Sequence, residues 1–282
     1  MKKIKWCPGC GNFSILKQIS SILPLLGISK EKIVFVSGIG CSSRLPYYLE
    51  TFGLHGIHGR APAIATGIKL ANPDLSVWII TGDGDALSIG GNHLIHLLRR
   101  NLNVNILLLN NQVFGLTKGQ FSHTSSRILE KPFNPLLLAL GAGATFIARS
   151  FDSNYKHLKK MLLKCQEHIG TSFLEIYQNC IIFNNKFYKN FNILYLHNKK
   201  PLFFGNQRIQ YITDNIFNPK IKPFRDNAKN FWIHDEKNLK KAFILSQFSF
   251  ENYENLPLSF GILYKNTRTT LDNLYKNFEN KA

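Results

Sequence analysis

Two groups of residues in this 282-residue chain have the types and spacing that inorganic chemistry requires. The first is Gly82-Asp83-Gly84-Asp85, followed by Asn110-Asn111-Gln112-Val113, with Asn111 placed 28 residues after Asp83. A diphosphate carries several negative charges and is held through a divalent cation. Magnesium takes hard oxygen ligands in near-octahedral geometry. A carboxylate ending one strand and an amide oxygen ending its neighbour supply two such ligands, and one intervening helix accounts for the spacing. The glycines let backbone approach phosphate, and a helix after Asp85 turns its N-terminus toward the anion. The second group is sulfur. Cys7-Pro8-Gly9-Cys10 presents two thiols from one short turn, Cys41 follows Gly38-Ile39-Gly40, and Cys180 follows Tyr177-Gln178-Asn179. Read alone, such a turn serves zinc, a redox pair or an iron–sulfur cluster. The fifth cysteine, Cys165, sits in a helical pattern beside Leu162 and Leu163 and reads as a small core residue. An odd count without a secretory leader argues against a disulfide framework.

The elements that position these residues are legible as apolar runs. Ile33–Val36, Val77–Ile80, Ile106–Leu109, Ala144–Ala148 and, apart from Glu175, Phe173–Tyr177 are β-branched or apolar, the pattern of strands covered on both faces. Helical periods fill Asn12–Leu26, Pro62–Ala71, Gly91–Arg100 and Asn154–His168. This alternation predicts an α/β fold with a doubly wound, mostly parallel sheet. In such sheets ligands bind beyond the carboxyl ends of the strands, which is where the polar motifs fall. After Cys180 the pattern loses its period. We divide the chain into an α/β domain over 1–183, which carries the chemistry, and an extension over 184–282 that packs on the core or on a partner subunit.

The formal charge is +18. Residues 1–150 hold 15 basic and 6 acidic groups, leaving 20 and 11 for the remainder of 35 and 17. So even a spread reads as drift toward Lys and Asn rather than a nucleic-acid surface, and it is compatible with an acidic electron carrier. No run approaches the roughly 20 apolar residues of a membrane span. The basic start, Met1 to Cys7, has no apolar segment behind it, so a cytoplasmic protein is expected.

From Trp6 to about Asn184 the chain resembles the beta subunits of 2-oxoacid:ferredoxin oxidoreductases, which have the thiamine diphosphate-binding fold. The likeness runs through both groups above. It continues in His55-Gly56-Ile57-His58-Gly59-Arg60-Ala61, Ala65-Thr66-Gly67-Ile68-Lys69-Leu70-Ala71, Ser88-Ile89-Gly90-Gly91-Asn92-His93 and Gly115-Leu116-Thr117-Lys118-Gly119-Gln120. It implies Asp83, the Asn111 side chain and the Val113 carbonyl as magnesium ligands, and Cys7, Cys10, Cys41 and Cys180 as the ligands of a 4Fe–4S cluster. It implies thiamine diphosphate contacts from Ile39, Gly40, Cys41, Ser42, His58, Gly84, Asp85, Gly115 and Leu116. His58 and Lys118 become the catalytic side chains: His58 as a donor beside the diphosphate, Lys118 as partner of the distal carboxylate of a dicarboxylic oxoacid. The lysine is shared with relatives acting on 2-oxoglutarate or on a broad range of oxoacids, whereas pyruvate-type relatives tend to carry glycine. His123 departs from the family's usual proline, and Asn184-Asn185-Lys186 lacks the family's Asp-Gly.

The activity so implied is an oxidoreductase reaction, the coenzyme A-dependent oxidative decarboxylation of a 2-oxoacid. The substrate favoured is 2-oxoglutarate, giving succinyl-CoA and carbon dioxide, with electrons passing through the cluster to ferredoxin. Thiamine diphosphate enzymes also need an activating glutamate, and no motif here supplies it. In the resembling family it comes from the alpha subunit, so an obligate partner is expected, in a dimer of alpha–beta pairs. Three alternatives stay open: a pyruvate or broad-specificity enzyme, a thiamine diphosphate decarboxylase half without a cluster, and a zinc-stabilised binding protein without catalysis.

Overall fold

The structure is a computed structural model that describes residues 3–188, 191–205, 210–215, 217–225, 229–248 and 255–279. Its elements run in the order α1 (Asn12–Ile22), β1 (Ile33–Ser37), β2 (Phe52–His55), α2 (Ala61–Ala71), β3 (Ser76–Gly82), α3 (Asp83–Leu87), α4 (Gly91–Arg100), β4 (Val104–Asn110), β5 (Val113–Phe114), β6 (Gln120–Phe121), α5 (Pro135–Gly141), β7 (Phe146–Phe151), α6 (Tyr155–Glu167) and β8 (Ser172–Tyr177). There follow β9 (Ile193–Tyr195), β10 (Phe203–Phe204), β11 (Gln210–Ile212), β12 (Ile221–Pro223), α7 (Leu239–Gln247), β13 (Leu258–Lys265) and α8 (Leu271–Glu279).

Among the described residues the main sheet has the order β2-β1-β3-β4-β8-β7-β13-β9. From β2 to β7 every pairing is parallel, and β13 joins β7 antiparallel. Alternation along the buried strands divides the core. Val34, Val36, Val77, Ile79, Ile106 and Leu108 face one way, in the layer that holds Ala61 and Ala65 of α2, Leu94, Leu97 and Leu98 of α4, and α5 and α7. Phe35, Trp78, Ile80, Leu107 and Leu109 face the other, with Ile15 and Ile19 of α1 and Leu158 and Leu162 of α6. This is the mostly parallel, doubly wound α/β sheet that the apolar runs predict. Cys165 is fully buried in the second layer.

Several boundaries differ, for local reasons. The first helix stops at Ile22, and Leu23–Leu25 forms a 3-10 turn, because Pro24 has no N–H to continue the helix. The strand expected from Ala144 begins at Phe146, since the Ala144 N–H still bonds back to Ala139 of α5 at 3.0 Å. The helix expected after Asp85 begins at Asp83 itself, is five residues long, and gives way to α4 at Gly91. The aperiodic second part, some of it outside the described residues, contributes β13, whose run Leu258 to Tyr264 is buried throughout. It also supplies the small sheet β10-β11-β12. No helix among the described residues is long and apolar enough to cross a membrane.

One ion pair lies inside the sheet. Arg149 on β7 and Glu175 on β8 are register partners, both fully buried, with Nε donating to Oε2 at 2.7 Å. The other carboxylate oxygen of Glu175 accepts from Asn110 Nδ2 at 2.8 Å, which connects the pair to the end of β4.

Three imidazoles are held neutral by burial: His157 against Ser150, His168 against Thr145, and His234 against the Ile262 carbonyl. Burial pushes each down from 6.5 to about 4. A depressed folded-state pKa means that the unfolded chain takes up these protons first as the medium becomes acidic. Denaturant titrations at stepped pH should therefore show stability falling between pH 6.5 and about 4. Replacement of His234 with Gln should flatten that slope.

Candidate active site at the carboxyl edge of the sheet

Because β2, β1, β3, β4 and β8 are mutually parallel, their carboxyl ends share one edge. The segments leaving that edge are Gly38–Ser42 after β1, His58 after β2, Asp83–Asp85 after β3, Asn111–Val113 after β4 and Gln178–Cys180 after β8. Residues as far apart in sequence as Cys7 and Cys180 meet there.

A cavity of about 180 Å³ opens between these segments. Its lining includes each residue implied as a thiamine diphosphate or magnesium contact: Ile39, Gly40, Cys41, Ser42, His58, Asp83, Gly84, Asp85, Asn111, Val113, Gly115 and Leu116. Lys118 is not in the lining. It stands exposed beyond Thr117, in the left-handed region at φ 72°.

The two acids of the cavity have different surroundings. Asp83, 2% exposed, accepts hydroxyl hydrogens from Ser122 and from Thr124, the latter at 2.7 Å. Backbone N–H groups of Asp83 and Gly84 also reach it. The groups acting on it are neutral donors, and burial outweighs them, pushing its pKa up. A buried carboxylate in this condition is suited to a divalent cation, which would restore its charge. The Asn111 side-chain oxygen accepts from Val113 N–H at 3.1 Å and has a second lone pair for such an ion.

Asp85 is occupied by protein. Its Oδ1 accepts from Ile39 N–H at 3.1 Å and Gly59 N–H at 2.7 Å and lies 2.5 Å from His58 Nδ1, while Oδ2 accepts from the Thr81 hydroxyl at 2.8 Å. One carboxylate thus pins three loops together. Glycine is required at position 38, because a Cβ there would overlap the Asp85 carboxylate. With Nδ1 facing Asp85, His58 keeps Nε2 as its remaining polar atom.

A second cavity, about 210 Å³, is lined by Cys7, Cys10, Cys41 and Cys180. It shares Cys41, Asn111, Gly115 and Leu116 with the first. Burial pushes the Cys10 thiol up to about 12, with Cys180, Cys41 and Cys7 adding to the effect. Burial likewise raises Cys41, again with Cys180 and Cys7 contributing and Arg44 opposing. Four sulfurs that repel one another as thiolates are matched to a positively charged inorganic centre. Trp6 braces the site, its indole N–H donating to the Cys41 carbonyl at 2.7 Å.

Comparison with known proteins gives these cavities a family. The pattern of the thiamine pyrophosphate enzyme C-terminal TPP-binding domain matches residues 38–176. A 2-oxoglutarate oxidoreductase subunit, KorB, of Mycobacterium tuberculosis is 46% identical over 96% of this chain and 78% of its own. The chain belongs to the beta subunits of the 2-oxoacid:ferredoxin oxidoreductases. The second such subunit of Aeropyrum pernix is 45% identical over 64% of this beta subunit, a match spanning 62% of its own length. The structure of a 2-oxoglutarate:ferredoxin oxidoreductase from Magnetococcus marinus superposes with a TM-score of 0.80 at 34% identity, covering 99% of this beta subunit and 87% of that chain.

Four contributors to the site carry no motif in the sequence. Ser122 and Thr124 lie in a turn after β6, closed by Ser125 N–H donating to the Ser122 carbonyl at 3.0 Å, and both hydroxyls reach Asp83, about forty residues upstream in the chain. Gln178 lies between the two cavities. Asp152, at the end of β7, accepts from Asn179 N–H at 2.7 Å and from the Tyr188 hydroxyl at 2.6 Å. It is packed so closely under Gly11 that a Cβ at that position would overlap its carboxylate. Gly11 N–H in turn donates to the Asn179 carbonyl at 3.0 Å, so Asp152 clamps the turns that present Cys10 and Cys180.

The raised pKa of Asp83 has a signed consequence for metal-free protein. An acid whose folded pKa lies above its unfolded value stabilises the fold below the unfolded pKa, and that contribution is lost as pH rises through the folded pKa. Asp83→Asn should therefore melt higher than the wild type at pH 7 in chelator, with the difference closing below the ordinary carboxylate range. The same variant should lose magnesium-dependent binding of thiamine diphosphate in calorimetric titration.

Proposed function

We propose that this beta subunit, with an alpha subunit, carries out the coenzyme A-dependent oxidative decarboxylation of 2-oxoglutarate to succinyl-CoA and carbon dioxide, passing electrons through a 4Fe–4S cluster to ferredoxin in the cytoplasm. The observation that carries this reading is the shared wall. The cavity of the acids and the cavity of the four cysteines have Cys41, Asn111, Gly115 and Leu116 in common, so two cofactors bound there would be neighbours.

Thiamine diphosphate, when bound, supplies the electron sink for loss of carbon dioxide. The chain's own work is to bind and orient. Asp83, the Asn111 side chain and the Val113 carbonyl would hold magnesium for the diphosphate. His58, steadied by Asp85 at Nδ1, would have Nε2 left to donate to the anion. Ile39, Leu116 and the glycine-rich turns form the wall against water. Cys7, Cys10, Cys41 and Cys180 hold the cluster. Among the described residues no three His, Cys, Asp or Glu side chains converge on a single-ion site. The four cysteines line one cavity, and it is the likeness to the family, not their spacing, that selects an iron–sulfur cluster over zinc.

The substrate reading draws on the relatives: the Mycobacterium subunit is named for 2-oxoglutarate, and the Magnetococcus enzyme was solved with 2-oxoglutarate, coenzyme A and succinyl-CoA bound. Lys118, on the rim, is the partner we assign to the distal carboxylate. Its position outside the cavity lining also favours a second reading, acceptance of a range of 2-oxoacids. Among the described residues the acids lining the first cavity are Asp83 and Asp85, both committed, and we assign the activating glutamate to the alpha subunit. We further propose that chemistry resides in 1–183 and that 184–282 is an extension packing on that core or on the partner subunit.

Anaerobic purification together with the alpha subunit should give a brown protein with absorbance near 400 nm, about four irons per beta subunit, and ferredoxin reduction that requires 2-oxoglutarate and coenzyme A. A colourless, iron-free complex rules the redox assignment out. Lys118→Gly should raise the KM for 2-oxoglutarate by roughly tenfold or more and leave pyruvate kinetics unchanged.

A further inference from the structure

Gln178 is the first residue beyond β8 and is 1% exposed. Its backbone N–H donates to the Asn110 carbonyl at 2.9 Å, carrying the β4–β8 ladder past the strand ends. Its side chain reaches in two directions. Oε1 accepts from Asn111 Nδ2 at 3.0 Å, while Nε2 donates to Cys10 Sγ at 3.4 Å and to the Asn179 carbonyl.

The orientation of both amides is forced. The Val113 N–H can only donate, so Asn111 must turn its oxygen to Val113 and its nitrogen to Gln178. The Asn179 carbonyl can only accept, so Gln178 must turn its nitrogen that way, toward Cys10 as well. Flipping either amide sets donor against donor or acceptor against acceptor. One buried side chain therefore touches a residue of the cation site and a residue of the cysteine site.

We infer that Gln178 is a positioning residue that sets the reduction potential of the cluster through its N–H···S bond to Cys10 and ties that potential to the diphosphate site through Asn111. The inference rests on the cofactor assignments proposed above. Hydrogen bonds to cluster sulfurs favour the reduced, more negative state and so raise the potential. The second donor to Cys10 is the main-chain N–H of Asn12, so Gln178 is the donor a side-chain change can remove. In a buried setting the bond is electrostatically stronger than in water. Its other end restrains Asn111, so magnesium–thiamine diphosphate binding and cluster reduction bias one another by a common factor, as linkage requires.

The test uses the alpha–beta complex prepared without oxygen, with spectroscopic redox titration of the cluster and calorimetric titration of thiamine diphosphate in magnesium. Gln178→Met keeps length and volume but loses all three side-chain hydrogen bonds. It should make cluster reduction about tenfold less favourable, which is about 59 mV for a one-electron couple, and should weaken thiamine diphosphate binding by about fivefold or more. Gln178→Glu keeps an acceptor for Asn111 but sets an anion against the sulfur. It should lower the potential further while leaving thiamine diphosphate affinity unchanged. Variants that hold iron and titrate at the wild-type potential overturn the inference. Loss of iron from both variants overturns it too, by reducing Gln178 to a prop of the cluster loop. An iron-free wild-type complex instead overturns the underlying cofactor reading, which separates the two failures.

Discussion

A fully buried parallel sheet leaves the chain little choice about where its chemistry can go. Strands β1, β3, β4 and β8 are covered on both faces, so neither face can hold a polar site without disrupting the core. Their parallel alignment sends each carboxyl end to the same edge, and there the connecting segments are free to carry polar residues. A cation site made from the ends of β3 and β4 and a sulfur site made from the ends of β1 and β8 must then be adjacent. Their common wall is a consequence of strand order, in which β4 lies between β3 and β8.

Holding loops rather than strands to the accuracy of a site requires a second kind of interaction. Three buried side chains perform it, each joining segments that the sheet alone would leave independent. Asp85 joins the turns after β1 and β2 to β3 through four contacts. Asp152 accepts from the Asn179 N–H in the turn of Cys180 and packs under Gly11, whose N–H donates to the Asn179 carbonyl. Gln178 joins Asn111, on the wall common to both cavities, to Cys10. Below them, Asn110 is anchored by the Arg149–Glu175 pair, so the platform under the cation site is itself bolted to the middle of the sheet. A buried ion pair contributes little net stability against an apolar substitute, but removing one partner costs about 3–5 kcal/mol. That asymmetry fixes the register of β7 against β8 and with it the placement of the Asn110–Asn111 corner.

The sequence discloses these layers unevenly. The Asp83–Asn111 pair is legible because its spacing is set by local geometry: one strand, one helical excursion, one neighbouring strand. The turn Cys7-Pro8-Gly9-Cys10 is legible for the same reason, and Cys41 and Cys180 fall at strand ends that apolar runs mark well. Ser122, Thr124, Asp152 and Gln178 are invisible at that level. Each is an ordinary polar residue whose partner is fixed only by the packing of distant segments, as with Thr124 and Asp83. The run Leu258 to Tyr264 is apolar enough to read as a strand, but its surroundings of Asn, Lys and aromatic residues hid it. Lys118 shows the converse limit: its motif is legible, while its exposed position outside the cavity is a property of the folded loop alone.

The same residues bear on why the activating acid is assigned to a second subunit. Within the first cavity Asp83 is buried where burial opposes its charge, and Asp85 has given its oxygens to two loops and a threonine. Neither can act as a proton-relaying acid without giving up the role that keeps the site assembled. A third carboxylate supplied from within this edge would have to enter a wall already closed by glycine turns and by Phe114. Supplying it from another chain across the open mouth avoids that conflict, and it leaves the cation and sulfur sites on a single rigid sheet edge.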